Sequence, residues 1–208
     1  MKNFVVAISL FCIVILNSGC PKSSCIKTNY SFAVNSQISP DLDSIRLGDT
    51  LYLTSSFPKK LVDDYTKTVV DYSNSMGIGS TLGLVKLVNG SYPGKDAVNS
   101  FKYSNVTGSV YNDKSIPSPD KIQQLKYDEV NDNYKLKIGI IPMEKGVYYL
   151  GVGNGLSNGR NKSNSCEKAS FNITMINTSQ HLNYFSAWNP NGTLSTYEKD
   201  RAYFFKVY

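Results

Sequence analysis

The sequence predicts an all-β fold: an antiparallel β-sandwich, immunoglobulin-like or jelly-roll-like, with little helix. Three observations carry this expectation. Apolar residues recur at every second position in short runs, the period of a half-buried strand. The runs stop at Gly, Pro, Asn and Asp, residues that favour turns. The chain of 208 residues is 41% hydrophobic and 12% aromatic, with 15 Tyr and only 18% charged residues, which gives one domain enough apolar surface for a core and excludes disorder. Its 15 Gly and 8 Pro are too few and too irregular for a collagen or low-complexity chain.

In chain order, Lys2 precedes an apolar run from Phe4 to Leu16, followed by Asn17-Ser18-Gly19-Cys20. At 1.5 Å per residue this run makes about 20 Å of helix, short of a bilayer's roughly 30 Å core, so it reads as an export signal and not as a membrane span. It resembles a bacterial lipoprotein signal peptide, with Ser18 and Gly19 as the small residues before the lipid acceptor Cys20 and Asn17 where leucine is usual. The expected organisation is a signal over residues 1–19, a tether over 20–27 and one sandwich domain over 28–208. Cleavage before Cys20 leaves 189 residues with 21 basic and 16 acidic side chains. The positive charge is scattered, unlike the clustered Lys and Arg of a nucleic-acid binder, so nucleic acid is excluded as a partner.

The four cysteines divide by position. Cys12 leaves with the signal and Cys20 takes the lipid, palmitate among its acyl groups. Cys25 and Cys166 remain, either as a disulfide in an oxidising compartment or as two buried thiols. Neither a CxxC pair nor a Cys/His set is present, so no metal and no cofactor is expected.

The strands follow. Tyr30-Phe32-Val34 alternates until Ser39-Pro40-Asp41. Ile45-Leu47 leads through Gly48-Asp49 into Leu51-Leu53, and Phe57-Pro58 closes that run. Leu82 to Val88 ends at Asn89-Gly90. Tyr134-Leu136-Ile138-Ile140 turns through Pro142 to Gly146 into Val147-Tyr148-Tyr149-Leu150, and Phe171-Ile173-Met175 and Tyr203-Phe205-Val207 complete seven or eight strands. Helix is expected only in short pieces such as Asp120 to Leu125.

With the signal, the segment Asp43-Ser44-Ile45-Arg46-Leu47-Gly48-Asp49-Thr50-Leu51, the pair Ile141-Pro142 to Gly146-Val147-Tyr148-Tyr149, and Cys166 running on to Gln180-His181-Leu182, the chain resembles small uncharacterised lipoproteins of Bacteroidetes. That group carries no established activity, so the resemblance implies location and fold and transfers no catalytic residue. Cys20 is followed by Pro21-Lys22-Ser23-Ser24 instead of the acidic residues of surface-exported relatives, which implies a periplasm-facing anchor in the outer membrane. Asp43-Ser44-Ile45 and Asp49-Thr50-Leu51 resemble the three-residue O-glycosylation signal of such exported proteins.

Candidate sites are few. His181 is the only histidine, so any Ser/His/Asp machinery would have to use it, and the expected role is a hydrogen-bonded structural residue. Gly151-Val152-Gly153-Asn154-Gly155 lacks the spacing and the Gly-Lys-Ser/Thr of a phosphate loop and reads as a flexible loop. Asp63-Asp64 and Asp128-Glu129 offer carboxylates to a glycosidase but read as solvated surface. The segment 184–192 could present Tyr184, Trp188 and Asn191 as a glycan platform, rings stacking on sugar faces and the amide bonding hydroxyls, or Trp188 could plug the sandwich edge. The chain therefore reads as an envelope lipoprotein acting as a structural or protein-interaction module, with an unknown envelope protein as partner. A glycan-binding accessory protein is the alternative, and an enzyme is the least favoured reading.

Overall fold

A computed structural model describes residues 28–89, 91–163, 165–177 and 179–208. The signal segment, Cys20 and Cys25 lie outside the described residues. No helix among the described residues is long and apolar enough to cross a membrane.

The chain folds as a β-sandwich around one main core. β1 (Asn29–Ser39) lies between β15 (Lys168–Met175) and β3 (Leu51–Pro58), and β12 (Asn133–Pro142) pairs with the far edge of β3. β8 (Phe101–Thr107) and β11 (Asp128–Val130) pair with β12. The second half contains β6 (Ile78–Val88), β13 (Gly146–Val152), β16 (Ala202–Val207) and the two-residue β2 (Ser44–Ile45), with β7 (Ser91–Asp96) and β10 (Ile122–Lys126) also paired to β6. β14 (Gly155–Ser157) pairs with both β15 and β6, joining the halves into one continuous sheet that closes over the core. Closure is visible in side chains: Phe101, at the start of β8, meets Tyr148 of β13 at 4.9 Å and Phe205 of β16 at 6.2 Å between ring centres.

Alternation places the core. Phe32, Val34, Ser36 and Ile38 of β1, Leu51, Leu53, Ser55 and Phe57 of β3, and Phe171, Ile173 and Met175 of β15 are buried, while the residues between them are partly or fully exposed. A strand sends successive side chains to opposite faces, so the two-fold pattern becomes one buried face. β16 departs from it, with Ala202, Tyr203, Phe204 and Phe205 all buried. Its outer side is roofed by α1 (Asn183–Trp188), whose Phe185 packs on Phe204 and Ala202 in a second, smaller cluster.

Two expectations change. Among the described residues two pairings are parallel, β1 with β15 and β16 with β2, and the other strand pairings are antiparallel. The helix expected over Asp120 to Leu125 is instead β10, which buries Gln123 and Leu125 against β6. One helical turn has too little internal hydrogen bonding to resist an open sheet edge.

Candidate functional site

The most unusual surface is a hairpin the alternation does not announce. β4 (Lys60–Val62) and β5 (Val69–Asp71) pair as Leu61↔Val70 and Val62↔Val69. Leu61 and Val70 enter the core, so Val62 and Val69 face away from it, at 54% and 68% exposure, with Tyr65 at 78% in the connecting turn. The outward side of a solvated ribbon is ordinarily polar; here the charged pair Lys60 and Asp71 is followed by the apolar pair Val62 and Val69.

Asp63 holds this tip in one shape. Its carboxylate accepts the Ser31 N–H of β1 at 2.8 Å, the Thr66 N–H at 2.8 Å and the Thr66 hydroxyl at 2.7 Å. The Asp64 N–H donates to the Ser31 carbonyl at 2.7 Å, and the Asp64 carboxylate accepts the Ser31 hydroxyl. The pair is thus a structural lock on β1: Asp63, expected on solvated surface, is 1% exposed. Its two oxygens supply the acceptors that the N–H groups of a tight turn and of the edge of β1 that β3 leaves uncovered would otherwise lack.

These bonds, first that from Ser31 N–H and then those from Thr66, hold the Asp63 carboxyl below its ordinary value near 3.8. A group whose pKa is lower folded than unfolded adds stability that is fully present above the unfolded value and is lost as pH falls through the folded one. Urea unfolding between pH 5 and 2 is expected to show this loss below about pH 3.8. Asp63→Asn, which turns an amide donor toward Thr66, should lower stability at pH 5 and flatten the acid limb; an unchanged limb would refute the role.

Asp128 and Glu129 are also anchoring groups. Asp128 accepts the Gly108 N–H at 2.8 Å, at a glycine with φ +72° whose Cβ would meet the Leu136 side chain and the Lys126 carbonyl. Glu129 accepts the Asn74 N–H at 2.8 Å and the Tyr134 hydroxyl at 3.1 Å and pairs with Lys59 at 3.3 Å. Both border a cleft of about 320 Å³.

His181 joins the ends of three segments. Its Nε2 lies 3.4 Å from Asp41 Oδ1, its ring meets the edge of Tyr203 at 5.2 Å, and its Nδ1 lies 3.1 Å from Ser179 Oγ. Ser179 Oγ also accepts the His181 backbone N–H, which makes it a local turn clasp. Burial would raise the Asp41 pKa, but hydrogen bonds from Asn177 and Tyr203 outweigh it and hold the carboxyl low. Asn154 and Gly153 do not form a flexible loop. They make the tight β13–β14 connection, in which Gly153 N–H bonds the Thr81 carbonyl and Asn154 Oδ1 accepts from Arg201 at 2.7 Å.

Tyr184 and Trp188 sit one turn apart on α1 and both line a cleft of about 140 Å³ with Leu87 and Val147; Asn191 is exposed and does not line it. Trp188 Nε1 donates to the Val88 carbonyl at 2.9 Å and its ring packs beside Phe185. Cys166 lies in the turn that precedes β15.

No family model and no curated protein matches the chain. Among solved structures it is similar to the second type II cohesin module of the adaptor ScaA scaffoldin of Acetivibrio cellulolyticus (11% identity, TM-score 0.37, covering 76% of this chain and 98% of that one). It is also similar to a cohesin module from a Clostridium perfringens family 33 glycoside hydrolase (12% identity, TM-score 0.34, covering 61% and 84%). These are partial likenesses.

The hairpin residues Val62, Tyr65 and Val69 escaped the sequence reading. Their signal is two apolar doublets, Leu61-Val62 and Val69-Val70, around a polar turn, too short for a periodicity to register.

Proposed function

We propose that the protein is a cell-envelope lipoprotein, anchored through Cys20 in the periplasm-facing outer membrane, whose β-sandwich is a non-enzymatic module for binding another envelope protein. The observation that carries the reading is the exposed apolar end of the pinned hairpin: Val62 and Val69 side by side with Tyr65 at the tip. Exposed apolar groups on a rigid support suit association, because ordering entropy is already met in the free state and a tyrosine offers large contact area with few rotors. A second reading, glycan binding, draws on a trough of about 600 Å³ lined by Asn35, Gln37, Thr54, Ser56, Lys135 and Lys137, all able to bond hydroxyls.

A photo-crosslinking amino acid in place of Tyr65, in cells fed an alkyne fatty acid, tests the proposal. A discrete protein adduct is expected, lost when Val62→Ser and Val69→Ser are added, with stability of the purified protein changed by no more than about 0.5 kcal/mol. Cys20→Ala should abolish the fatty-acid label. An adduct that survives both serines would overturn the docking face, and a label that survives Cys20→Ala would overturn the anchor.

A further inference from the structure

Behind α1 lies a second small cleft, of about 100 Å³, lined by the rings of Tyr149, Phe185, Trp188 and Phe204, by the aliphatic Val85, Leu87 and Leu194, and by the carboxylate-bearing Glu198. We propose that this cleft binds a small quaternary ammonium group.

The rings are set at angles to one another: Tyr149 and Phe204 at 42° and 5.2 Å, Phe185 and Phe204 at 54° and 6.0 Å, Phe185 and Trp188 at 64° and 6.1 Å. Tilted rings enclose a space instead of stacking it shut. Trp188 is held in place by its indole N–H bond to the Val88 carbonyl. The size is close to that of an apolar cavity of roughly 150 Å³ that takes up benzene, so a group of four or five heavy atoms fits.

Charge decides the ligand class. α2 (Thr196–Lys199) begins with a capping box in which Glu198 Oε2 accepts the Ser195 N–H at 2.8 Å and the Ser195 hydroxyl at 2.7 Å. The box keeps the carboxylate at the aromatic wall, and Oε1 takes no hydrogen bond from the described residues. The hydroxyl and N–H of Ser195 hold this carboxyl below its ordinary value, so it stays charged at neutral pH. The neighbouring cation Arg201 does not neutralise it, because its guanidinium bonds Asn154 and the Tyr197 carbonyl and stacks over the Tyr197 ring at 3.9 Å. A primary ammonium would need three acceptors, which aromatic walls lack. An alkylated ammonium needs none, and its charge is met by ring faces and one nearby carboxylate.

Titration of the purified protein with choline, followed by Trp188 fluorescence and the indole N–H resonance, tests the site. Choline should saturate both signals, and its neutral carbon isostere 3,3-dimethylbutan-1-ol should bind about tenfold more weakly or worse. Glu198→Gln preserves the capping box, which accepts Glu or Gln, and should weaken choline by about tenfold while leaving the isostere unchanged. Retention on phosphatidylcholine but not phosphatidylglycerol vesicles would identify a lipid headgroup as the source, and binding of free choline alone a soluble ligand; either upholds the site. Equal binding of choline and its isostere, no saturation by choline, or a Glu198→Gln protein that binds choline as before would overturn it.

Discussion

Phe171→Ala is expected to lower the free energy of unfolding by about 3–5 kcal/mol, the range for removing a fully buried phenylalanine. Phe171 is 1% exposed and lies in the main core. Its ring lies 5.5 Å from Phe32, directly opposite in the parallel register with β1, 5.4 Å from Phe57 of β3 and 6.0 Å from Tyr72. Three aromatic rings from separate segments therefore meet Phe171, and the space left by truncation is bounded by rings that cannot swing freely to fill it. For a chain of this size the melting temperature should fall by roughly 10 °C or more. Phe171→Leu, which retains most of the apolar volume, should cost about half as much or less. Chemical unfolding followed by circular dichroism measures both, and a loss under about 1 kcal/mol for the alanine variant would show that this cluster does not hold the sandwich together.

Reduction of the mature protein is expected to have a comparable effect, through a disulfide between Cys25 and Cys166. The parallel register supports the pairing. Asn29 faces Lys168, and the Lys168 N–H donates to the Thr28 carbonyl at 2.9 Å. Parallel neighbours enter a sheet at the same end, so Thr28 and the turn that carries Cys166 lie on one side of it, with Cys166 two residues before Lys168 and Cys25 three residues before Thr28 in the sequence. A bridge over so long a loop restricts the unfolded chain and adds about 4–5 kcal/mol in the loop-entropy account. Peptide mapping without reductant should recover the linked pair, and Cys25→Ser with Cys166→Ser should unfold at correspondingly lower urea. Two alkylatable thiols in freshly isolated protein would refute the bridge.

The sequence by itself determined the strands that bury one clean face. Tyr30 to Val34, Leu51 to Phe57, Tyr134 to Ile140 and Phe171 to Met175 lie in strands, and Ser39-Pro40 and the segment Pro142 to Gly146 close the first and the third of them. In each, the period of two is set by backbone geometry alone, and the turn residues stop it for local conformational reasons. Local pattern says nothing of which strands become neighbours. Only the tertiary structure decided that β1 would run parallel to β15 across more than a hundred residues, that an edge of β6 would take Ile122 to Lys126 as a strand, and that α1 would roof Phe204. It also decided the surfaces that matter for function. Asp63 reads as one of two adjacent acids until β1 supplies a Ser31 N–H in need of an acceptor, and nothing in the local sequence marks Glu198 until Tyr149 and Trp188 arrive beside it from distant segments. Strand alternation is a property of neighbours along the chain; a binding face depends on residues brought together by long-range pairing, whose hydrogen bonds and burial exist only once the sheet has closed.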